Sequence, residues 1–547
     1  MSKTQRPRST LPKRGQAPFW HPKRTRVLAA ALLMTLACSG PVKVKPAQPA
    51  APQAEPPPIA RQRGLDSLSR QTQQLLRLYG LEDRLPRYPT AVVAVLSGLE
   101  GSELERDALA AEAEVALLAA RYASNDASAE AAGWYLQSTA RAFEFMFNGG
   151  LTPMERAMDP RFQRMRRVYN LAVSSYVGLL GQSEGGFRHH EASTRFERYR
   201  IEIEMGSDRF DPQMADRLLV ARDLEIKGLR NRYRRNGLGA ALVSYRSNSR
   251  TSGLDTFHPP DGYVDPVTAV LEFGPRRPRE TRKARQVKLS FYDPRETDTI
   301  AIESLEVPLQ ADFTTHYAYL ASITSVSGLA RKGLMHPEDY EHLQGLFLME
   351  PYDPAKIPVI MVHGLKSSPL AWMELTNDLF GDEVLRDRYQ IWHFLYPTGL
   401  PYLYVGSVFR EEMRALRDTL DPEGDAPAMN SMVIVAHSMG GLVARSLISD
   451  SGLEIWNTVL KVPPDAIRGS PEDVEWLRRM FIFTPEPYID RVVFIATPHR
   501  GAAAAGSFLG QIGSSLVDLP DDYVDTVERL AAQNQDVATT AVQGVVA

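Results

Sequence analysis

The pattern of apolar and polar residues changes twice along the chain. From about residue 65 to residue 180, apolar residues recur at three- and four-residue spacings among Ala, Leu and Glu, which predicts helices. From about residue 193 to residue 313, segments such as "RFERYRIEIEM" and "VKLSFYDP" alternate apolar with polar residues between Pro, Gly and Asp turns. This alternation is typical of antiparallel strands. We therefore predict a helical module over residues 61–185 and a mostly β module over residues 186–345.

Continuous apolar runs replace the alternation in the third stretch, residues 346–547. The clearest runs are "IPVIMV", "SMVIVAHS" and "RVVFIATP", and "YQIWHFLYP" is a weaker one. Runs of this length indicate strands that are covered on both faces, and helical stretches such as "VGSVFREEMRALRDTL" separate them. This order predicts βαβ units, so we expect the α/β fold class, with a parallel sheet and helices on both faces.

Two features depart from a regular alternation of strand and helix. Residues 452–489 do not have the pattern of sheet, and we predict that they form a cap inserted into the domain. After "RVVFIATP" the remaining residues are helix-like and hold no clear apolar strand. The sheet is therefore predicted to lack its last strands, which leaves the α/β domain incomplete at its carboxyl end.

The first sixty residues differ in composition from the rest. Residues 1–26 hold eight Lys or Arg and no acid, and an apolar run from Val27 to Ala37 follows. A basic segment followed by a short apolar run is typical of an export signal, so residues 1–37 are predicted to be a signal peptide. The run is too short to span a bilayer as a helix, which takes roughly 20 apolar residues. Residues 38–60 are rich in proline and predict a semi-rigid linker.

Cys38 is the single cysteine of the sequence, so an intramolecular disulfide is excluded. Its position directly after Leu36 and Ala37 resembles the lipobox of bacterial lipoproteins, in which the cysteine is lipidated. The resemblance implies a lipoprotein of the cell envelope that is anchored to a membrane through Cys38. Ser39 stands where such proteins carry an aspartate for retention, which implies sorting to the outer membrane. Plain signal cleavage and an uncleaved anchor remain alternatives.

Charge and motif content exclude several classes of function. Without residues 1–37, 55 basic residues face 66 acidic ones, a net charge of −11. A chain this acidic is not expected to bind nucleic acid. The sequence contains no P-loop, no dinucleotide fingerprint and no cluster of metal ligands at a zinc-like spacing. We therefore expect neither a cofactor nor a bound metal.

The segment "AHSMG", from Ala436 to Gly440, carries the candidate chemistry. Small residues lie two positions before and two positions after Ser438, as in the G-x-S-x-G pattern of a nucleophile elbow, with alanine in the first place. An apolar run precedes the segment and "GLVARSLI" can form the helix that follows. Such a helix directs its amino-terminal N–H groups at the serine and stabilises negative charge that develops there.

A second segment, "VHGL", ends the first apolar run of the α/β stretch. His363 and Gly364 are placed to shape a tight turn before Leu365, and a histidine held by a backbone hydrogen bond fits that place. We do not interpret His363 as a general base.

Four segments together resemble the core of bacterial lipase- and esterase-like α/β-hydrolases, including relatives of the inositol deacylases. They are "KIPVIMVHGLKSSPLAW", "YQIWHFLYPTGLP", "VIVAHSMGGLVAR" and "RVVFIATPHRG", and they cover roughly residues 345–515. The resemblance implies that Ser438 is the nucleophile of an ester hydrolase. It also implies that the N–H groups of Leu365 and Met439 form the oxyanion hole.

The general base of such an enzyme is not evident in the sequence. In this family the acid and the histidine of the triad follow the serine on later loops, yet His499 is the single histidine after Ser438. His499 directly follows an apolar run, which is not the usual place, so it is either a structural loop residue or a substitute base. The most economical interpretation is a shortened hydrolase. The alternatives are a degenerate hydrolase that binds without cutting and an unusual residue that completes the triad.

We therefore expect a membrane-anchored carboxylic-ester hydrolase whose substrates are lipids or other envelope esters. The competing expectation is a non-catalytic or truncated envelope lipoprotein, in which the hydrolase-like domain serves as a binding or scaffolding module.

Overall fold

The computed structural model describes residues 42–46, 68–85, 87–123, 128–148, 152–183, 186–207, 210–249, 253–276, 283–324, 333, 336–500 and 521–537. The predicted signal peptide, residues 1–37, and the predicted lipidation site, Cys38, lie outside the described residues. The described chain is a mixed α/β protein. Within it, no helix combines the length and the apolar character that crossing a membrane requires.

Helices fill the first large part of the described chain, as the spacing of apolar residues predicts. They are α1 (Arg70–Leu78), α2 (Pro89–Ser97), α3 (Glu105–Ala123), α4 (Ser128–Phe147), α5 (Pro153–Met158) and α6 (Pro160–Gly181). Ser69 caps α1 by accepting a hydrogen bond from the N–H of Thr72 at 3.2 Å, and Thr152 with Glu155 forms a capping box at the start of α5. These caps satisfy N–H groups that a helix leaves without partners.

Short strands form most of the next part. With one strand at the amino end they are β1 (Lys43–Pro46), β2 (His190–Ser193), β3 (Arg198–Met205), β4 (Arg217–Val220), β5 (Leu224–Lys227), β6 (Arg234–Arg235), β7 (Ala240–Arg246), β8 (Tyr263–Phe273), β9 (Arg285–Tyr292), β10 (Thr299–Ile302), β11 (Leu305–Pro308) and β12 (Ala311–Asp312). Among the described residues, six of them form a sheet in the order β2-β3-β9-β8-β7-β4. Its pairs are antiparallel apart from β3 with β9, which agrees with the predicted pattern.

The helices and the six-stranded sheet bury one continuous hydrophobic core. Tyr169 of α6 shows the connection, because its hydroxyl donates to the carbonyl of Leu271 in β8 at 2.6 Å and accepts the N–H of Leu271 at 2.9 Å. Phe143 of α4 packs on Phe273 of β8 with ring centroids 5.6 Å apart. The predicted helical and β modules therefore share their core.

Strand β1 lies within the linker predicted for residues 38–60 and corrects that prediction over four residues. It pairs antiparallel with β5, with Val44 opposite Ile226 and Lys45 opposite Glu225. An extended proline-rich backbone can still pair at a sheet edge, where missing N–H groups are tolerated. Residues 43–46 are therefore part of the folded body and not of a free spacer.

The carboxyl-terminal part contains the predicted parallel sheet. Its strands are β13 (Gly345–Leu348), β14 (Ile357–Val362), β15 (Tyr389–Leu395), β16 (Met432–His437) and β17 (Ile489–Ile495). In the described residues they are ordered β13-β15-β14-β16-β17, and all neighbours are parallel except β13 with β15. The four predicted strands are confirmed. The antiparallel edge strand β13 was not predicted, because its apolar segment "GLFL" is only four residues long.

Helices accompany this sheet along the chain. They are α7 (Thr315–Ile323), α8 (Met373–Gly381), α9 (Glu383–Arg388), α10 (Tyr402–Leu420), α11 (Met439–Arg445), α12 (Glu454–Val459), α13 (Pro471–Phe481) and α14 (Asp521–Gln533). Residues of the central strands, such as Ile360, Trp392 and Ile434, are fully buried. The runs that form β14 and β15 therefore correspond to strands without a solvent face, whereas β17 is partly exposed among the described residues, with Val493 47% exposed.

The segment predicted as a cap, residues 452–489, contains α12 and α13 and ends at Ile489, the first residue of β17. Its helices form a separate hydrophobic cluster around Trp456 and Phe481, and Val537 after α14 belongs to the same cluster. Arg529 of α14 pairs with Asp473 of α13 at 2.9 Å. The last described helix therefore packs on the predicted cap.

Candidate functional site

Ser438 lies at the turn from β16 into α11, at the carboxyl end of a strand with neighbours on both sides. Its backbone adopts φ 52° and ψ −121°, a conformation that costs a residue with a Cβ on the order of 1–3 kcal/mol. Its N–H still belongs to the sheet and donates to the carbonyl of Ile495 at 2.9 Å. Its side chain does not cap α11. Ala436, two residues earlier, is fully buried.

Two glycines allow this turn to press against the loop that follows β14. A Cβ on Gly440 would collide with the carbonyl of His363. A Cβ on Gly364 would lie 2.8 Å from Nδ1 of His437 and 3.0 Å from the Cβ of Ser438. Because other atoms occupy the space of a side chain at both positions, glycine is required there. The structure thus brings together the two segments "VHGL" and "AHSMG".

The ring of His363 is held in place and neutral. It is fully buried and stacks on Tyr396 with centroids 4.3 Å apart. Its Nε2 accepts a hydrogen bond from the N–H of Tyr396 at 3.4 Å, so Nδ1 carries the proton and donates to the carbonyl of Gly364 at 3.1 Å. Burial lowers the pKa of His363 to about 4. A neutral ring with both nitrogens engaged supports the loop and is not available to take a proton from Ser438.

Leu365 and Met439, the predicted oxyanion-hole residues, follow β14 and β16, which are neighbours in the sheet. Within the described part of the chain, their N–H groups donate to no acceptor. Met439 is the first residue of α11, and the first N–H groups of a helix have no acceptor within it. Lys366, next to Leu365, has a positive φ of 54°. Two free N–H groups near Ser438 suit the binding of an anionic oxygen, and their joint role stays a prediction.

His499 follows β17, the neighbour of β16 in the sheet. The His499 side chain is exposed, its ring packs edge-on against Phe494 with centroids 4.6 Å apart, and its N–H donates to the carbonyl of Thr497 at 3.0 Å. Among the described residues, no hydrogen bond joins its ring to the hydroxyl of Ser438. His499 as a substitute base therefore stays a prediction.

His437, directly before Ser438, is half-buried, and burial lowers its pKa. It lies against the Gly364 loop, as the close approach of Nδ1 shows. A neutral His437 adds no positive charge beside the serine. In the described residues, no group of three or more His, Cys, Asp or Glu is arranged to hold a metal ion.

Two site residues were missed by sequence analysis. The hydroxyl of Tyr396, at the end of β15, donates to the carbonyl of His363 at 2.6 Å. The side chain of Thr497 lies against Gly441 of α11. The buried Oγ1 of Thr497 has no hydrogen-bond partner in the described part of the chain. Tyr396 lies within a segment that was interpreted only as a strand, and nothing in a single sequence pairs it with a loop 33 residues earlier.

The β-rich part of the chain supports the helix that follows the Leu365 loop. The ring of Tyr233 lies where a Cβ on Gly381, at the end of α8, would be. The Tyr233 hydroxyl donates to Oδ1 of Asp378 at 2.8 Å, and the side-chain amide of Asn377 donates to the carbonyl of Asn231 at 3.1 Å. These contacts fix α8 and therefore one end of the loop.

Three cavities of the described chain have walls that do not include Ser438. One of about 390 Å³ is lined by polar groups including Arg246, His258 and Tyr263. A second, mostly apolar one of about 60 Å³ lies beside Phe347. A third of about 300 Å³ lies between helices and strand β11.

Comparison with known proteins gives one likeness to a solved structure. No family model and no curated protein matches the sequence. Among solved structures, the chain is similar to the lipase BlEst2 of Bacillus licheniformis in its mature form, with 20% identity over 35% of this chain. The chain spans 66% of that structure's length, and the TM-score is 0.19. At that TM-score the likeness does not establish a common fold.

Proposed function

We propose that the chain is a serine hydrolase that cleaves carboxylic esters and that its carboxyl-terminal sheet is an α/β-hydrolase core. The observation that carries the proposal is the backbone of Ser438, with φ 52° and ψ −121° at a strand-to-helix turn. A strained turn of this kind, with small residues around it, is what exposes the serine in a nucleophile elbow. Strain of this size persists where the surrounding structure imposes it, and it clusters at functional sites.

The arrangement of strands supports the proposal. Ser438 follows β16, which lies inside the sheet between β14 and β17, and the loop after β14 adjoins it. Ligands of open α/β sheets bind at the carboxyl ends of the strands. The free N–H groups of Leu365 and Met439 lie on those two loops and suit a negatively charged carbonyl oxygen.

In the proposed reaction, Oγ of Ser438 attacks the carbonyl carbon of an ester while a base takes the hydroxyl proton. The oxygen of the tetrahedral intermediate accepts hydrogen bonds from the N–H groups of Leu365 and Met439. The alcohol leaves with the proton returned by the base, and water then releases the acid from the acyl-enzyme. His499 is the proposed base.

A second candidate function is supported by the position of that histidine. Because the ring of His499 packs on Phe494 and not on Ser438, the serine stays a weak nucleophile in this arrangement. A non-catalytic or truncated hydrolase-like module that binds a partner in the envelope fits that observation. For both candidates we propose a membrane-anchored lipoprotein, with Cys38 as the lipidated residue and lipids or other esters as ligands.

Hydrolysis of p-nitrophenyl butyrate by the full chain separates the two functions. We expect Ser438→Ala to lower the rate at least about 100-fold, since removing a triad member costs several powers of ten. Ser431→Ala is the matched control, because Ser431 precedes the same strand and its hydroxyl donates to the carbonyl of Pro427. Equal rates for the wild type and Ser438→Ala would leave the binding module as the remaining candidate.

A further inference from the structure

The cavity of about 300 Å³ between helices and strand β11 has mostly apolar walls. Phe147 at the end of α4, Phe162 of α6 and the strand residues Leu305 and Val307 provide much of its surface. None of the lining residues comes from the carboxyl-terminal sheet. The cavity is therefore independent of the site around Ser438.

Two arginines line this apolar cavity, and they differ in their contacts. Arg156 is engaged, because its Nη1 donates to the carbonyl of Met146 at 2.6 Å. Arg166 is half-buried, and in the described part of the chain it forms neither a hydrogen bond nor an ion pair. Burial and the neighbouring Arg167 lower the pKa of Arg166. Since a guanidinium in a protein stays protonated, Arg166 is a partly desolvated cation without an anion.

The acids at the cavity do not neutralise Arg166. Asp159 is held by Arg161 at 3.0 Å and by Arg106 at 3.2 Å. Glu306 is exposed and accepts a hydrogen bond from the Thr299 hydroxyl at 3.4 Å. A buried or half-buried cation is costly without a partner, so the cavity favours an occupant that supplies one negative charge.

We propose that this cavity binds a small amphipathic monoanion, a carboxylate with a short alkyl tail. The planar guanidinium of Arg166 matches a carboxylate in a bidentate geometry. The aromatic and aliphatic walls accommodate the alkyl tail. The volume of the cavity is at the lower end of the range of volumes found for ligand pockets. Because Arg166 supplies one guanidinium without an anion among the described residues, the cavity favours a ligand with a single negative charge. The assignment does not depend on Ser438 being a nucleophile.

Calorimetric titration of the full chain with sodium octanoate tests the assignment, with a titration into protein-free detergent buffer subtracted. We expect a Kd on the order of 1 mM or tighter. Acetate, which lacks the tail, and 1-octanol, which lacks the charge, should each bind at least about ten-fold more weakly. These comparisons use the wild type and need no variant. Octanol binding as tightly as octanoate, or acetate doing so, would overturn the proposal, as would the absence of octanoate binding.

Two neighbouring arginines give a matched pair of variants. Arg166→Gln should weaken octanoate binding at least about ten-fold, because it removes the charge-assisted hydrogen bonds. Arg167→Gln makes the same change in charge at an exposed position that does not line the cavity, and binding should change less than about two-fold. Equal weakening by both substitutions would show that the effect is general electrostatics and would contradict a site at Arg166.

Discussion

The amino-terminal core and the carboxyl-terminal sheet differ in whether their energetically costly features have partners. In the first, the charges around Arg141 are buried and paired. Arg141 of α4, with a side chain 1% exposed, contacts Glu112 at 2.9 Å, Glu144 at 2.7 Å and Glu197 at 2.6 Å. In the second, the backbone of Ser438 is strained, and the N–H groups of Leu365 and Met439 have no acceptor among the described residues. Satisfied charges stabilise a structure, whereas strain beside free donors indicates a place for a ligand.

The largest expected effect is that of breaking the buried charge cluster. Arg141→Met leaves Glu112, Glu144 and Glu197 with fewer partners, and removing one member of a buried pair costs about 3–5 kcal/mol. Urea unfolding followed by circular dichroism measures the loss in the free energy of unfolding. Arg195→Met is the control, because its pair with Glu130 is solvent-exposed at 3.4 Å, and we expect a change below about 0.5 kcal/mol. A loss below about 1 kcal/mol for Arg141→Met would contradict a structural role for the cluster.

Acid should remove part of the same stabilisation. Burial raises the pKa of Glu197, but attraction by Arg141 and hydrogen bonding outweigh burial and lower it from 4.5 to about 2. Because the folded pKa is the lower one, the carboxylate stabilises the fold above pH 4.5, and this contribution is lost as the pH falls from 4.5 through 2. The contribution of the Glu197 carboxylate to the free energy of unfolding is up to about 3 kcal/mol.

The variant Glu197→Gln isolates this contribution. It should be less stable than the wild type at pH 6, and the difference in unfolding free energy should shrink as the pH falls below about 4. Glu191→Gln is the control, because Glu191 forms an exposed pair with Arg200 at 3.0 Å. A difference for Glu197→Gln that stays constant between pH 6 and pH 2.5 would show that the Glu197 carboxylate does not contribute in this way.

A smaller effect tests the strain at the carboxyl-terminal site. Ser438→Gly and Ser438→Ala both remove the hydroxyl, but only glycine adopts φ 52° without cost. We expect the glycine variant to be more stable than the alanine variant by about 1–2 kcal/mol. At Ser431, which does not have a positive φ, the order should be reversed or absent. Equal stabilities at Ser438 would mean that the turn is not strained.

The smallest expected effect concerns the support of the loop. Tyr396→Phe removes the hydrogen bond to the carbonyl of His363 and should lower stability by about 1 kcal/mol. It should also lower any esterase activity, because the loop carries Leu365. Tyr389→Phe, at the start of the same strand, is the control and should change neither property. Stability and activity unaffected by Tyr396→Phe would remove Tyr396 from the description of the site.

The sequence predicts local features of this molecule better than distant contacts. The runs that form β14 to β17 and the small residues around Ser438 follow from periodicity and from turn sterics. The pairing of β1 with β5 and the bonds between Tyr169 and Leu271 join residues far apart, and no single-sequence pattern marks them. The same limit applies to the contact of Tyr396 with His363, and to the base, whose role depends on geometry.

The central claim is that Ser438 is an activated nucleophile, and a fluorophosphonate probe tests it most directly. Incubation of the full chain with the probe, followed by digestion and mass spectrometry, locates any adduct. We expect one modified peptide that carries the probe on Ser438, with none in Ser438→Ala and an unchanged yield in Ser431→Ala. A folded wild-type chain that carries no adduct on Ser438 would contradict the claim.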